Sequence, residues 1–146
     1  MKFIPQSIPD VLLIEPLVHN DERGYFVETY KKELLDEALG YEVNFIQDNE
    51  SGSAYKGVLR GLHFQSHPYT QSKLVRAVKG EVIDVAVDIR RDSATFGKHV
   101  SVELSEKNKK QIFIPRGFAH GFVVLSESAI LSYKVDAYYS AKHNEG

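Results

Sequence analysis

The chain of 146 residues contains no cysteine, no tryptophan and only one methionine. Without thiols there can be no disulfide bridges, no nucleophilic cysteine and no zinc–thiolate centre. The Cys–Trp–Cys core of an immunoglobulin-type sandwich is missing as well. Neither sign of charge dominates: 18 Lys and Arg face 20 Asp and Glu, for a formal net charge of −2. A general nucleic-acid binder carries a basic surplus, so no nucleic-acid partner is expected. No apolar run approaches the ~20 residues of a membrane-spanning helix. The opening Met1–Pro5 runs into mixed polar residues rather than a secretory signal. The expected address is the cytoplasm, away from any membrane.

What remains is ordinary globular material, 42% apolar and 26% charged, enough for one domain over residues 1–146 with a single substantial core. Short strand-like runs separated by turn residues dominate. They cover Val11–Ile14, Tyr25–Thr29, Val43–Asp48, Val58–Gln65, Lys73–Val78, Glu81–Ile89, His99–Leu104, Gln111–Ile114, Gly121–Leu125 and Ala129–Val135. One short helix is predicted over Glu33–Leu39, with Leu34, Leu35, Ala38 and Leu39 on one side and Gly40 closing it. About ten strands and one helix in so small a domain predict an all-β fold, a jelly-roll barrel that removes most sheet edges.

Two stretches place polar groups where a strand should be apolar. In Gly57–Gln65, "GVLRGLHFQ", a regular strand puts Arg60 on one face and His63 on the other. The glycines at 57 and 61 leave the histidine face without bulk, which suits close approach of a ligand. An edge strand with a snorkelling arginine and a satisfied histidine is the plainer alternative. For both side chains to meet one ligand the strand must twist or bulge, and Gly61 is the predicted position. The second stretch, Pro115–Gly121, "PRGFAHG", fits Pro-x-Gly-x-x-His, the second motif of the cupin barrels. Metal-bearing cupins add a His-x-His pair and a carboxylate. Here His63-Phe64-Gln65 supplies one imidazole, and His67 beside Pro68 reads as loop, so no metal is expected. Asp84 lies on the more polar side of the Glu81–Ile89 strand. It faces either solvent or the barrel interior, where it would orient His63 or Lys73.

Taken together the chain resembles the dTDP-4-dehydrorhamnose 3,5-epimerases, cupin-fold (double-stranded β-helix) sugar-nucleotide enzymes. The resemblance rests on motifs in the family's order and spacing. They begin with Arg23–Glu28, Gln47–Ser51 and "GVLRGLHFQ", and continue with Lys73–Arg76, Gly80–Val85 and Thr95–Gly97. Ile114–Phe122, Ser132–Lys134 and Tyr138–Ser140 complete the series. The resemblance implies inversion of C3 and C5 of dTDP-4-keto-6-deoxy-D-glucose in deoxysugar synthesis, without metal or cofactor. His63 would be the base, Tyr133 the acid and Lys73 the stabiliser of the enolate oxygen. Arg23 and Arg60 would grip the diphosphate. Phe26, Glu28, Gln47 and Asn49 would contact the nucleotide, Tyr139 would stack on thymine, and His120 would touch sugar or phosphate.

The family's basic histidine pairs with an aspartate from a C-terminal segment, which the resemblance implies is absent here; Asp84 is the one substitute carboxylate. Three alternatives follow. One is a related 3- or 5-monoepimerase or 3,4-ketoisomerase. Another is a nucleotide-sugar-binding barrel without turnover, and the last a metal-dependent cupin dioxygenase. The resemblance also implies a homodimer, and Phe3, Ile4, Val11, Leu12 and Leu13 supply apolar surface in need of burial.

Overall fold

Thirteen strands and one α-helix form the chain in the computed structural model, which describes residues 1–146. The first third contains β1 (Lys2–Pro5), β2 (Leu12–Glu15), β3 (Val18–Asp21), β4 (Gly24–Val27) and α1 (Lys32–Leu39). Then come β5 (Gln47–Ser53), β6 (Leu59–Gln65), β7 (Lys73–Lys79) and β8 (Glu81–Asp88). The last third holds β9 (His99–Ser105), β10 (Gln111–Ile114), β11 (Phe118–Val124), β12 (Ala129–Val135) and β13 (Asn144–Glu145), the last two separated by a 3-10 turn at Ala141–His143. One sheet runs β1-β2-β10-β7-β12-β5 and faces a second running β13-β6-β11-β8-β9. The β3–β4 hairpin pairs only with itself. This is the expected all-β jelly roll of the cupin kind.

Alternation along the strands fills the space between the sheets. Val75, Ala77 and Leu131 of the larger sheet share one packed cluster with Val82, Ala86, Phe122 and Val124 of the smaller. A second cluster forms where α1 covers the larger sheet: Leu35 packs with Leu12, Ile14, Val43, Leu74 and Phe113. The helix starts at Lys32, one residue earlier than predicted. It ends at Gly40, whose φ of +74° lets its N–H reach Asp36 O at 2.8 Å.

Three strands went unread in the sequence, and one was misplaced. β13 has only two residues, β1 (KFIP) runs into Pro5, and β3 (VHND) is too polar to read as a strand. The run Val43–Asp48 is not a strand: Val43 and Phe45 pack beneath α1, and pairing starts only at Gln47. The true β5, "QDNESGS", is built of turn-prone residues and holds its extended form by its seven-residue register with β12. Tertiary pairing overrides local preference there.

Along β8 the burial is the reverse of the apolar pattern. Val82, Asp84, Ala86 and Asp88 are buried, while Ile83, Val85 and Val87 are only half-buried on the outer face. Asp84 therefore lies inside the barrel. Asp88, at the other end of that face, is wholly buried and tied down on every side. It accepts hydrogen bonds from Arg90 Nε (2.9 Å) and Nη2 (2.8 Å), and from Ser93 Oγ and Thr95 Oγ1 (2.6 Å each). These donors, Arg90 first, hold its carboxyl well below the usual range. Arg90 also bridges to Asp10 at 2.8 Å, which locks the β8–β9 loop to the N-terminal segment.

Candidate active site

A cavity of about 680 Å³ opens at the barrel mouth, walled by β6 and β11 on one side and by β5, β7 and β12 on the other. Its shape depends on an irregularity in β6. His63 lies across from His120, but Arg60 lies across from Phe122, so β6 spends three steps where β11 spends two. The bulge falls at Gly61, as the sequence predicted, and it turns Arg60 and His63 toward the same cavity. Only glycine fits there. Gly61 has φ of +113°, and a Cβ on it would sit 2.6 Å from Gly121 Cα and 2.7 Å from His120 O.

From the smaller sheet come Arg60, His63 and His120; from the larger, Gln47, Asn49, Lys73 and Tyr133. Tyr139 reaches the same cavity from the segment after β12. Arg60 is braced against β5, donating from Nη2 to Gly52 O at 2.8 Å and from Nε to Ser53 Oγ at 3.3 Å. Gln47 Nε2 donates to Asn49 Oδ1 at 2.8 Å. Burial raises the Tyr133 phenol above its ordinary range, with the Arg60 charge acting against that rise. Burial also pulls the Lys73 ammonium down to about 8, and the Asp84 carboxylate partly restores it.

Asp84 hydrogen-bonds neither residue first suggested for it, although its charge acts on Lys73. Its Oδ2 lies 2.8 Å from His120 Nε2, so its hydrogen bond goes to His120 and not to His63 or Lys73. The cause is register: Asp84 sits across from Phe122 and beside the His120 pair of β8 and β11. Its Oδ1 is buried without a hydrogen-bond partner. An Asp that accepts from Nε2–H leaves His120 Nδ1 as the free ring nitrogen. No three His, Asp or Glu side chains converge as a metal centre would require.

Arg23, Phe26 and Glu28 do not line this cavity. They belong to the β3–β4 hairpin and the residue after it. Arg23 folds back onto Asp21 with its side chain 85% exposed, and Phe26 is 70% exposed. The structure also adds residues the sequence reading passed over. Gln65, Gln71 and Asn144 line the cavity. Gln65 shares the face of His63 two residues on, a signal present within the "GVLRGLHFQ" stretch.

A jelly-roll barrel that gathers imidazole, ammonium, phenol and guanidinium groups in its mouth is of the cupin class, with acid–base groups set around one cavity. The sequence profile of dTDP-4-dehydrorhamnose 3,5-epimerases matches residues 5–146. The chain belongs to that family, which is of the isomerase class. An epimerase of this name from Shigella flexneri is 56% identical over 146 residues, covering 100% of this chain and 80% of its own length. The Bacillus anthracis dTDP-4-dehydrorhamnose 3,5-epimerase, solved with TDP and PPi bound, matches with TM-score 0.94 at 47% identity, over 99% of this chain and 82% of its own. The Legionella pneumophila dTDP-6-deoxy-D-glucose-3,5-epimerase, solved in complex with dTDP-4-keto-L-rhamnose, matches with TM-score 0.94 at 50% identity, over 98% of this chain and 75% of its own.

Proposed function

We propose that this chain inverts C3 and C5 of dTDP-4-keto-6-deoxy-D-glucose by proton transfer, in the synthesis of dTDP-L-rhamnose-type deoxysugars. The carrying observation is that His63 and Tyr133 line one cavity from opposite sheets. A 4-keto sugar is acidic at both carbons, because removal of either proton gives an enolate delocalised onto the C4 oxygen. Inversion needs a base on one face and an acid on the other. His63 takes the proton, and Tyr133 returns one from the opposite wall. Solvent then reprotonates the phenolate and relieves the imidazolium. Lys73, charged at neutral pH, stabilises the enolate oxygen in a cavity where water screens little. His120, its ring fixed by Asp84, contacts the sugar or phosphate.

The nucleotide occupies the outer part of the mouth. Arg60 retains guanidinium donors for the diphosphate beyond those it spends on β5. Gln47 and Asn49 hydrogen-bond the nucleotide, and Tyr139 stacks on thymine. Arg23, Phe26 and Glu28 contact substrate from the hairpin of a second copy, since in their own chain they stand clear of the cavity. This is what a homodimer supplies. Ile4, Leu17, Tyr25 and Phe26 leave large apolar side chains exposed along the N-terminal part of the chain. Of the residues first thought to need a partner for burial, Val11 and Leu12 are buried in their own chain.

The decisive test is proton NMR of the keto sugar nucleotide with the protein in D₂O. Deuterium at both C3 and C5, abolished by His63→Ala, is the expected result. Exchange at a single carbon identifies a monoepimerase, and none at either overturns the proposal.

A further inference from the structure

After β12 the chain runs across the mouth of the cavity before its end joins the edge of the smaller sheet. Tyr139 sits in the middle of this strap and is 57% exposed, so little packing fixes its ring. Its place is set by the backbone on either side. Before it, Gln71 Nε2 donates to Ala137 O at 2.7 Å. After it, Ser140 N donates to Gln65 Oε1 at 2.8 Å. Gln65 is itself 6% exposed, rooted in β6 two residues beyond His63. Because Ser140 N can only donate, the amide is oriented with its oxygen there, and its Nε2 donates to Asn144 Oδ1 at 3.2 Å.

The far end of the strap has backbone anchors as well. His143 O accepts from Ser66 N at 2.8 Å, and Asn144 and Glu145 pair with Gln65 and Phe64 as β13. The stretch from Ala137 to Ser140 belongs to no sheet; the two glutamines hold it on either side of the tyrosines, and Ser140 is tied further to His143, its Oγ 2.8 Å from His143 Nδ1 and its O accepting from His143 N at 3.1 Å.

We infer that Gln65 and Gln71 are positioning residues that bracket Tyr138–Tyr139 and hold the Tyr139 ring over the nucleobase. Gln65 thereby couples the base-binding end of the site to the strand that carries His63. This rests on the nucleotide reading above, but part of its test does not need a nucleotide.

The probes are amide hydrogen exchange of the free protein, dTDP affinity by calorimetry, and the split of kcat and KM. Gln65→Met keeps side-chain length and loses both hydrogen bonds. Gln71→Met likewise keeps length and loses the one bond to Ala137 O, at a position outside the buried core, so folding of the barrel does not hang on it. In either variant, exchange at the Ser140 amide, whose N–H is bonded to Gln65 Oε1, accelerates while β8 and β11 keep their protection. Unchanged exchange in both overturns the inference. Base–aromatic stacking is worth roughly 5- to 100-fold in affinity, so dTDP affinity falls and KM rises by about five-fold or more, with kcat nearly kept. Each glutamine change adds nothing to Tyr139→Ala when combined with it. If the losses multiply in the double variant, the glutamines act through something other than Tyr139 and the inference falls. A wild-type chain that binds no dTDP defeats the nucleotide reading instead, leaving the exchange result to decide whether the bracket exists.

Discussion

Replacing Gly61 by alanine tests how the site is built. At φ of +113° an alanine is strained in any surroundings, and its Cβ would press on the backbone of β11 at 2.6 and 2.7 Å. Neither atom belongs to a side chain that can swing aside. A disfavoured φ costs on the order of 1–3 kcal/mol, and overpacking against rigid backbone costs about as much again. The expected loss is about 3 kcal/mol, a large share of the roughly 5–15 kcal/mol that holds a domain together. At roughly 2–4 °C per kcal/mol for a chain of this size, Tm falls by about 10 °C.

Activity suffers separately. The bulge that turns His63 toward the cavity is the same one alanine would force apart, and a displacement of ~1 Å at a reacting group costs about 100-fold. Scanning calorimetry and the rate of deuterium entry at C3 and C5 read the two effects. Gly57→Ala is the control: φ is +87° there but nothing lies within 4 Å of the added Cβ. It should cost about 1 kcal/mol and leave the exchange rate intact. A Gly61→Ala protein with Tm and exchange no worse than the Gly57→Ala control would refute this account of the bulge.

The Lys73 ammonium, brought down to about 8 by burial, should make deuterium exchange fall as pH rises through 8, and Lys73→Met should be slow throughout. Stability moves the other way: between about pH 8 and 10.5 the unfolded chain binds the proton and the folded chain does not, so denaturation midpoints should rise across that window. Asp88→Asn takes the buried charged acceptor from Arg90, Ser93 and Thr95 while Arg90 keeps its bridge to Asp10, and should cost about 1–3 kcal/mol by urea denaturation, with little change in exchange rate per folded molecule. Because the Asp88 carboxyl lies below its unfolded value of 3.8, its contribution is complete above that pH. It should be lost on acidification below about 4, and the Asn variant should lack that part of the acid transition.

The jelly roll was legible because β6, β7, β9, β10 and β12 carry apolar runs broken by turn residues. β5 was not, since "QDNESGS" has no apolar period and takes its form from β12. The bulge at Gly61 could be deduced once the resemblance required Arg60 and His63, on opposite faces of a regular strand, to meet one ligand. Gathering His63, Lys73, Tyr133 and Arg60 into one cavity followed from motifs in register. The partner of Asp84 did not, because that depends on which residue of β11 lies beside it, and no local pattern encodes cross-strand register. The stand-off of Arg23 and Phe26 was also hidden, since only one strand of their hairpin was read from the sequence and no local pattern tells which surface a hairpin lies against. The glutamine bracket spans more than 60 residues between its partners, a separation at which sequence spacing says nothing.

His63 hangs from one sheet and Tyr133 from the other, so the width of the slot between them is set by whatever keeps the sheets apart. That spacer is the layer of Val75, Ala77, Val82 and Ala86 deep in the barrel. These side chains act as a gauge block: adding or trimming a methylene there changes the clearance at the mouth as well as the packing below. Tolerance for a bulkier or slimmer sugar ring can thus be tuned by aliphatic residues that never meet the substrate, and a search for altered specificity belongs as much in the floor of the barrel as at its rim.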